Sequence, residues 1–234
     1  MKKVVVLSGA GISAESGIST FRDSDGLWEK HRIEDVATYD AWLRNRALVI
    51  DFYNQRRKQL YEVFPNKAHT ELVRLESYYD VEIITQNVDD LHERAGSSKV
   101  AHLHGELKKV RSEANPNEIL TLDGWELKEG MLASDGSQLR PHIVWFGEAV
   151  PMMETAIELA RKADIFIVVG TSLNVYPAAG LIDFVDSSVK KYIIDPNEVK
   201  TSRKEVCFIR EKASVGVQQL VDELILSATT TQDV

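Results

Sequence analysis

The stretch that decides the fold is "LSGAGISAESGISTFRDSDG", residues 7–26, which continues the apolar run "VVV" at 4–6. A short β-branched run that ends in a glycine turn predicts a strand followed by a phosphate-binding loop. In such a loop, backbone N–H groups and the start of a helix face a pyrophosphate. The turn alone is weak evidence, and no second strand follows that ends in the ribose-binding acid of a dehydrogenase. The stretch therefore predicts a nucleotide site of another kind.

Composition limits the classes of protein that are possible. The 234 residues are enough for one sizeable core and a small additional module. A net charge of −8 argues against nucleic-acid and membrane-surface partners. We find no apolar run of about 18 residues and no signal peptide, so we expect a cytoplasmic protein.

Metal and disulfide chemistry are disfavoured by the residue counts. Cys207 is the only cysteine, which excludes an intrachain disulfide and any zinc site that needs two cysteines. The six histidines show no metal-ligand spacing next to a carboxylate cluster. We therefore predict no metal site.

Short apolar runs alternate with helical patterns along the chain. Strands are predicted at 3–7, 81–85, 100–103, 142–146, 165–169, 191–194 and 206–209. Helices are predicted at 11–17, 40–62, 66–78, 152–162, 177–186 and 215–226. This alternation predicts an α/β fold with an open, mostly parallel, Rossmann-like sheet and helices on both faces.

Two stretches interrupt the alternation, and we expect them to form a smaller module beside the sheet. One is mainly helical, and the other is rich in Asn, Pro, Asp and Gly turns. The prediction is a small domain from insertions 31–65 and 106–139, and a nucleotide-binding domain from 1–30, 66–105 and 140–234. The tail "SATTTQDV", which begins at residue 227, is expected to be disordered.

Polar residues follow several of the predicted strands, at the end where ligands bind in open α/β sheets. The stretches are "TQNVDDLHERAG" (85–96), "HLHGEL" (102–107), "RPHIVWFGE" (140–148) and "GTSLNVYPAAG" (170–180). From the residues alone each has an ordinary alternative. Asn87 and Asp89 are also suitable as a helix cap and its first-turn acid, and His104 as a core histidine.

Taken in this order and spacing, the stretches resemble the sirtuins, the NAD-dependent protein deacylases, from Val4 to about Leu224. The signature of that family matches Gly9-Ala10-Gly11-Ile12-Ser13, Ser16-Gly17-Ile18 and Phe21-Arg22, with Ser19 in place of a usual proline. The resemblance implies NAD as cofactor and acylated proteins as partners. It implies a reaction that yields nicotinamide, free lysine and O-acyl-ADP-ribose.

The resemblance also implies roles for individual residues. His104 would be the base for a ribose hydroxyl, since imidazole accepts a proton near neutral pH. Asn87 and Asp89 would hold the nicotinamide carboxamide. Phe21 and Arg22 would lie on a loop that covers the nicotinamide ribose, where Phe21 shields the reactive carbon from water and Arg22 lies near the phosphates or supports the loop. The remaining residues implied to bind NAD are Gly9, Ala10, Gly11, Ser13, Gln86, Gly170, Thr171, Ser172, Asn197 and Ala213.

The helical stretch "FYNQRRKQL" (52–60) places Tyr53 and Arg56 on one helix face. The ordinary interpretation of this stretch is a charged helix face that is exposed to solvent. With Ala37, however, the pair resembles the sirtuin subgroup, bacterial and mitochondrial, that removes succinyl, malonyl and glutaryl groups. The residues implied to bind the peptide, by strand addition, are Phe146, Gly147, Glu148, Asn174, Val175 and Tyr176.

One departure from the family concerns zinc, which most sirtuins bind with two cysteine pairs in the small domain. No cysteine lies between Arg111 and Arg140, and Ser112 stands where the first is expected. We expect the insertion to be ordered by apolar side chains instead, namely Ile119, Leu120, Leu122, Trp125, Leu127, Met131 and Leu132.

Other functions on the same fold remain open from the sequence. They are an enzyme that mainly removes acetyl groups, a mono-ADP-ribosyltransferase, and an NAD or ADP-ribose sensor without turnover. The complete set Asn87, Asp89 and His104 favours an enzyme.

Overall fold

The computed structural model of the protein describes residues 1–19, 31–201 and 205–230. In chain order its strands are β1 (Lys3–Ser8), β2 (Asp80–Thr85), β3 (Val100–His102), β4 (Gly105–Ser112), β5 (Ile119–Thr121), β6 (Leu139–Ile143), β7 (Ile165–Val169), β8 (Lys190–Ile194) and β9 (Val206–Ile209). Six of them form a parallel sheet in the order β3-β2-β1-β7-β8-β9.

The helices lie between the strands. They are α1 (Gly11–Ala14), α2 (Ile33–Val36), α3 (Tyr39–Arg44), α4 (Arg46–Leu60), α5 (Lys67–Leu75), α6 (Leu91–Ala95), α7 (Met153–Arg161) and α8 (Ala213–Thr230), with a 3₁₀ helix at Ala178–Phe184. None of the helices in the described ranges has the length and apolar content that a membrane span requires.

Both faces of the main sheet are buried, which explains the unbroken apolar run of β1. Val4 and Val6 pack on one side with residues of α5 and α8. Val5 and Leu7 pack on the other side with residues of α7 and the 3₁₀ helix. Alternate side chains of a strand point to opposite faces, so a strand covered on both sides needs apolar residues throughout. The predicted α/β fold is confirmed.

The strand order places the carboxyl ends of all six strands at one edge. From β1 the chain adds β2 and β3 on one side, and then returns to build β7, β8 and β9 on the other. The reversal lies between β1 and β7. In open α/β sheets, ligands bind at such a switch point, outside the carboxyl ends of the strands.

A second, antiparallel sheet has the order β5-β4-β6. It shares one hydrophobic core with α3 and α4, which contains Trp42, Phe52, Leu107, Leu127 and Trp145. The strand predicted at 142–146 is found at Leu139–Ile143 and belongs to this second sheet. The boundaries predicted between the two domains stay a prediction.

Two predicted helices differ most from the structure in extent. The helix predicted at 40–62 is divided into α3 and α4, because the Asn45 side chain accepts a hydrogen bond from Leu48 N at 3.1 Å and caps α4. Helix α8 continues to Thr230, so the first part of the tail predicted to be disordered is helical. Residues 231–234 lie outside the described residues.

The set of apolar residues predicted to order the insertion 106–139 is partly wrong. Leu122 and Leu127 are buried and Met131 is half-buried. The other four are exposed to solvent, namely Ile119, Leu120, Trp125 and Leu132.

Polar side chains hold this insertion where apolar ones do not. Asn54 donates to Leu127 O at 2.8 Å and accepts from Leu127 N at 2.9 Å. The fully buried Arg57 donates to Leu107 O at 2.5 Å and to Trp125 O at 2.8 Å. Burial lowers the pKa of Arg57 to about 10, so the side chain keeps its charge at neutral pH. Buried donors of this kind fix a loop that has no room for a core of its own.

Candidate active site

The loops after β1 and β7 are in direct backbone contact. Gly11 N donates to Gly170 O at 2.8 Å, and Gly9 N to Val169 O at 3.0 Å. A Cβ on Gly9 would lie 2.6 Å from the Thr171 Cβ, closer than real side chains approach. These glycines are therefore required by the close approach of the two loops. The family resemblance implies that Gly9, Ala10, Ser172 and the backbone after it hold the diphosphate. The amide of Gly9 is engaged within the protein, so the amides of Ala10 and Ser172 stay predicted for this role.

Asn87 and Asp89, which follow β2, are bridged by one hydroxyl group. Asn87 Nδ2 donates to Ser13 Oγ at 3.2 Å, and Ser13 Oγ donates to Asp89 Oδ2 at 3.0 Å. All three side chains are buried, and burial raises the pKa of Asp89. Asp89 Oδ1 also accepts from Leu91 N at 3.2 Å, so this residue fixes the start of α6 as well. An amide beside a carboxylate offers the donor and acceptor groups that a carboxamide needs.

His104 is held in one tautomer by the backbone. Its Nδ1 lies 3.0 Å from Gln86 O. Because a carbonyl oxygen only accepts, Nδ1 carries the hydrogen and Nε2 is left with a free lone pair. Burial lowers the pKa of His104, which keeps the ring neutral at pH 7. The Gln86 side chain donates to Thr171 Oγ1 at 3.1 Å and so links the loops after β2 and β7.

A second histidine, His102, makes the same kind of contact with the backbone carbonyl of Asn87, the residue after Gln86. His102 Nδ1 lies 3.0 Å from Asn87 O, and its Nε2 lies 2.8 Å from Glu93 Oε1. Burial has the largest single effect and lowers the pKa of His102, but the hydrogen bond to Glu93, the charges of Glu93 and Glu106, and the hydrogen bond to Asn87 O together raise it above its ordinary value. The two histidines therefore bind the backbone carbonyls of residues 86 and 87 and hold this segment against the end of β3. Sequence reasoning considered His102 only as a metal ligand, although alternate histidines on a strand are a signal for such pairing.

The residues predicted to contact the acyl group are brought together. Phe146 N donates to Ala37 O at 3.0 Å. The Tyr53 hydroxyl accepts from Trp145 Nε1 at 3.0 Å, and both rings are buried. The guanidinium carbon of Arg56 lies 5.8 Å from the centre of the Tyr53 ring. These contacts join Ala37, Tyr53, Arg56 and the segment at 145–146 in one place.

Arg56 lies within electrostatic reach of the residues predicted to bind nicotinamide. The side chain is half-buried, and burial lowers its pKa. The negative charge of Asp89, and that of the Tyr53 phenolate where the phenol is ionised, oppose this shift of the Arg56 pKa. The cation predicted to bind an acyl carboxylate is therefore close enough to Asp89 for their charges to interact.

The two segments predicted to pair with a peptide differ in how many hydrogen bonds they already make within the protein. Glu148 accepts from Arg140 at 2.8 and 3.1 Å and from Trp145 N at 2.8 Å, and its own amide donates to Trp145 O at 3.0 Å. The Glu148 side chain therefore holds the turn at Gly147 and is occupied within the protein. The segment 174–176 is exposed. Pairing of either segment with a peptide stays a prediction.

The remaining predicted residues lie at the same edge of the sheet or outside the described ranges. Asn197 follows β8, and its backbone N–H donates to Asp195 Oδ1 at 2.8 Å. Ala213 begins α8, whose first turn is held by Glu15 through Ser214 N at 2.9 Å. Phe21 and Arg22 lie outside the described residues. Within the described ranges, no group of three or more His, Cys, Asp or Glu side chains is placed to hold a metal ion.

Trp145 and Arg140 belong to the site but were not predicted. The guanidinium carbon of Arg140 lies 3.6 Å from the centre of the Trp145 ring. The sequence signal was present, because Trp145 directly precedes the predicted site residue Phe146. Its partner on α4 lies 92 positions earlier, which only the packing of the insertion reveals.

Comparisons with known proteins agree with this arrangement. Residues 9–177 match the model of the Sir2 family. An NAD-dependent protein deacylase of Bacteroides thetaiotaomicron is 56% identical over 96% of this chain and 99% of its own length. One of Helicobacter pylori is 56% identical over 98% of this chain and all of its own length.

Solved structures give the same result. A Sir2 homologue in complex with NAD has a TM-score of 0.89 at 38% identity and covers 97% of this chain and 91% of its own. A Sir2 protein bound to an acetylated peptide has a TM-score of 0.80 at 30% identity and covers 94% and 92%. The chain belongs to the Sir2 family.

Proposed function

We propose that this enzyme removes acyl groups from lysine side chains of proteins and acts faster on acidic acyl groups (succinyl, malonyl, glutaryl) than on acetyl. As a Sir2 family member with relatives named for that activity, the chain is an NAD-dependent protein deacylase. The similar structure with an acetylated peptide supports protein substrates. The preference for acidic acyl groups is supported by the environment of Arg56. A cytoplasmic location stays a prediction.

The side chains at the sheet edge fit NAD, which supplies the ADP-ribosyl group that accepts the acyl oxygen. Asn87 and Asp89, bridged by Ser13 Oγ, would bind the carboxamide of nicotinamide. They would so orient the bond between nicotinamide and ribose, which breaks in the reaction. His104 Nε2 takes up a ribose hydroxyl proton, because its Nδ1 is fixed on Gln86 O. The contact of the loops after β1 and β7 aligns the amides predicted to face the diphosphate.

The observation that supports the acidic preference is the pair of donors on α4. A guanidinium binds a carboxylate through two parallel hydrogen bonds, which an acetyl group cannot accept. Burial raises the pKa of Tyr53 to about 12, so the phenol keeps its proton and can donate. A hydrogen bond to a charged group contributes about 1.5–3 kcal/mol, roughly ten- to a hundredfold in preference. The small side chain of Ala37, which is buried beside them, leaves room for the longer acyl chain.

The direct test compares two peptides that differ only in the acyl group of one lysine. With NAD present, kcat/KM for nicotinamide release and deacylated product is expected to be at least tenfold higher for succinyl-lysine than for acetyl-lysine. Equal or faster deacetylation would contradict the acidic preference. Nicotinamide release without an acylated peptide would favour ADP-ribosyl transfer, and binding of NAD without turnover would favour a sensor.

We also propose that the enzyme folds and works without zinc. The hydrogen bonds of Asn54 and Arg57 order the insertion in which the family resemblance would imply a zinc site. Ser112, at the position of the first missing cysteine, donates to Asp135 Oδ2 at 2.7 Å and is buried. Metal analysis should find far less than one zinc per chain, and a strong chelator should leave activity unchanged. Stoichiometric zinc together with activity that is lost in chelator would refute the proposal.

A further inference from the structure

We propose that Trp145 is a positioning residue for recognition of the acyl group. Its indole N–H holds the Tyr53 hydroxyl so that the phenol proton is directed at a carboxylate in the acyl pocket. This inference rests on the proposed acidic-acyl function and adds a specificity-determining residue to it.

The hydrogen-bonding capacity of the two side chains gives the first step. An indole N–H only donates, so at the 3.0 Å contact the Tyr53 oxygen is the acceptor. The phenol proton must therefore be donated to another atom. In the part of the chain that the structure describes, no side chain or carbonyl accepts it, and Tyr53 is only 1% exposed. A buried donor without an acceptor is costly, so this hydroxyl needs an acceptor from a ligand.

The second step concerns the rigidity of the indole. Glu148 Oε2 accepts from Trp145 N at 2.8 Å, and Arg140 binds the same carboxylate through two hydrogen bonds. The Arg140 guanidinium also covers one face of the indole ring, and Trp42 packs nearby with ring centres 5.8 Å apart. The direction of the indole N–H is thereby fixed. The lone pair of Tyr53 that faces it is fixed as well, and this restricts where the phenol proton can point.

The third step concerns which substrate benefits. A hydroxyl that accepts one hydrogen bond becomes a stronger donor for the next, because the bonds polarise one another. The carboxylate of a succinyl, malonyl or glutaryl group would accept that proton beside Arg56. An acetyl group ends in a methyl and accepts nothing there. Loss of the indole N–H should therefore affect acidic acyl groups selectively.

The test is Trp145→Phe, which keeps an aromatic ring and removes the N–H. We expect kcat/KM on a succinyl peptide to fall about three- to tenfold, mainly through KM, with acetyl-peptide kinetics within about twofold. In a Tyr53→Phe background the same change should cause no further selective loss. Trp125→Phe is the matched control. The Trp125 ring is exposed and lies beside Lys58, whose Nζ is 5.6 Å from the ring centre, so this change should leave the kinetics on both peptides within about twofold.

A spectroscopic measurement checks the hydrogen bond without reference to catalysis. The NMR resonance of the Trp145 indole N–H is identified in the wild type through its contact with Tyr53. Its chemical shift should change in Tyr53→Phe. It should also change when succinyl peptide is added, but not when acetyl peptide is added. This measurement also decides the question if Trp145→Phe does not fold.

Two results would overturn the inference alone. They are an equal loss on both peptides in Trp145→Phe, and a selective loss that persists without the Tyr53 hydroxyl. A wild-type enzyme that shows no preference for the succinyl peptide would instead remove the proposed acidic preference, and this inference with it.

Discussion

Replacing His104 by alanine is expected to lower the rate of deacylation by about 10²–10⁴-fold, the usual cost of losing a general base. The reason lies in the geometry of the ring. Nδ1 is bound to Gln86 O at 3.0 Å, so Nε2 is the atom that accepts the proton. NAD binding, measured by calorimetry, and the thermal midpoint of unfolding should change little, since the ring contributes one hydrogen bond to the fold.

The pH dependence of the wild-type enzyme provides an independent check. Burial lowers the pKa of His104, so the neutral, basic form persists below pH 6.5. The acid limb of kcat/KM should therefore lie below pH 6.5, where the rate falls as the ring becomes protonated. If His104→Ala retained more than about a tenth of the wild-type rate, another group would be the base. The same conclusion would follow if the acid limb of kcat/KM lay clearly above pH 6.5.

Arg56→Met is expected to lower kcat/KM on a succinyl peptide at least tenfold, while turnover of the matching acetyl peptide stays within a few-fold. Methionine keeps the length and apolar character of the side chain but has no charge and no donors. The measurement is the ratio of the two kcat/KM values, which cancels differences in the amount of active protein.

Lys58→Met is the matched control for this change. It removes the same charge from the same helix, but Lys58 is exposed and lies over the ring of Trp125, at 5.6 Å from its centre. It should leave the ratio unaltered. If Arg56→Met reduced both activities equally, Arg56 would support the fold and would not select the acyl group.

The main sheet and the position of the site could be predicted because both depend on local pattern. A strand covered on both faces, such as β1 or β7, must be apolar at every position, and this is visible in the sequence. Parallel strands then bring their carboxyl ends to one edge. Residues that follow them, such as Asn87 and His104, are neighbours whatever the details of packing.

The second sheet and the insertion could not be predicted in the same way. Which residues of 106–139 are buried depends on Asn54 and Arg57, whose partners lie 50 to 73 positions further along the chain. Their hydrogen bonds go to backbone groups, which leave no trace in the type of residue at the other end. The exposed Trp125 illustrates this, because Arg57 binds its carbonyl oxygen while the ring remains outside. The contact of Trp145 with Tyr53 was hidden for a different reason, because the two side chains lie 92 positions apart in the sequence.

The loops after β1 and β7, which are predicted to bind the diphosphate, and the residues proposed to recognise the acyl group adjoin separately packed hydrophobic clusters. Ile12 and Val169, at the sheet edge, lie in one hydrophobic cluster, whereas Ala37, Tyr53 and Trp145 lie in another. A substitution on α4 thus perturbs the second cluster and leaves the alignment of the first. We therefore expect that, in evolution, single substitutions in α4 can change the acyl substrate of a descendant of this protein while the packing beneath the loops after β1 and β7 stays as it is.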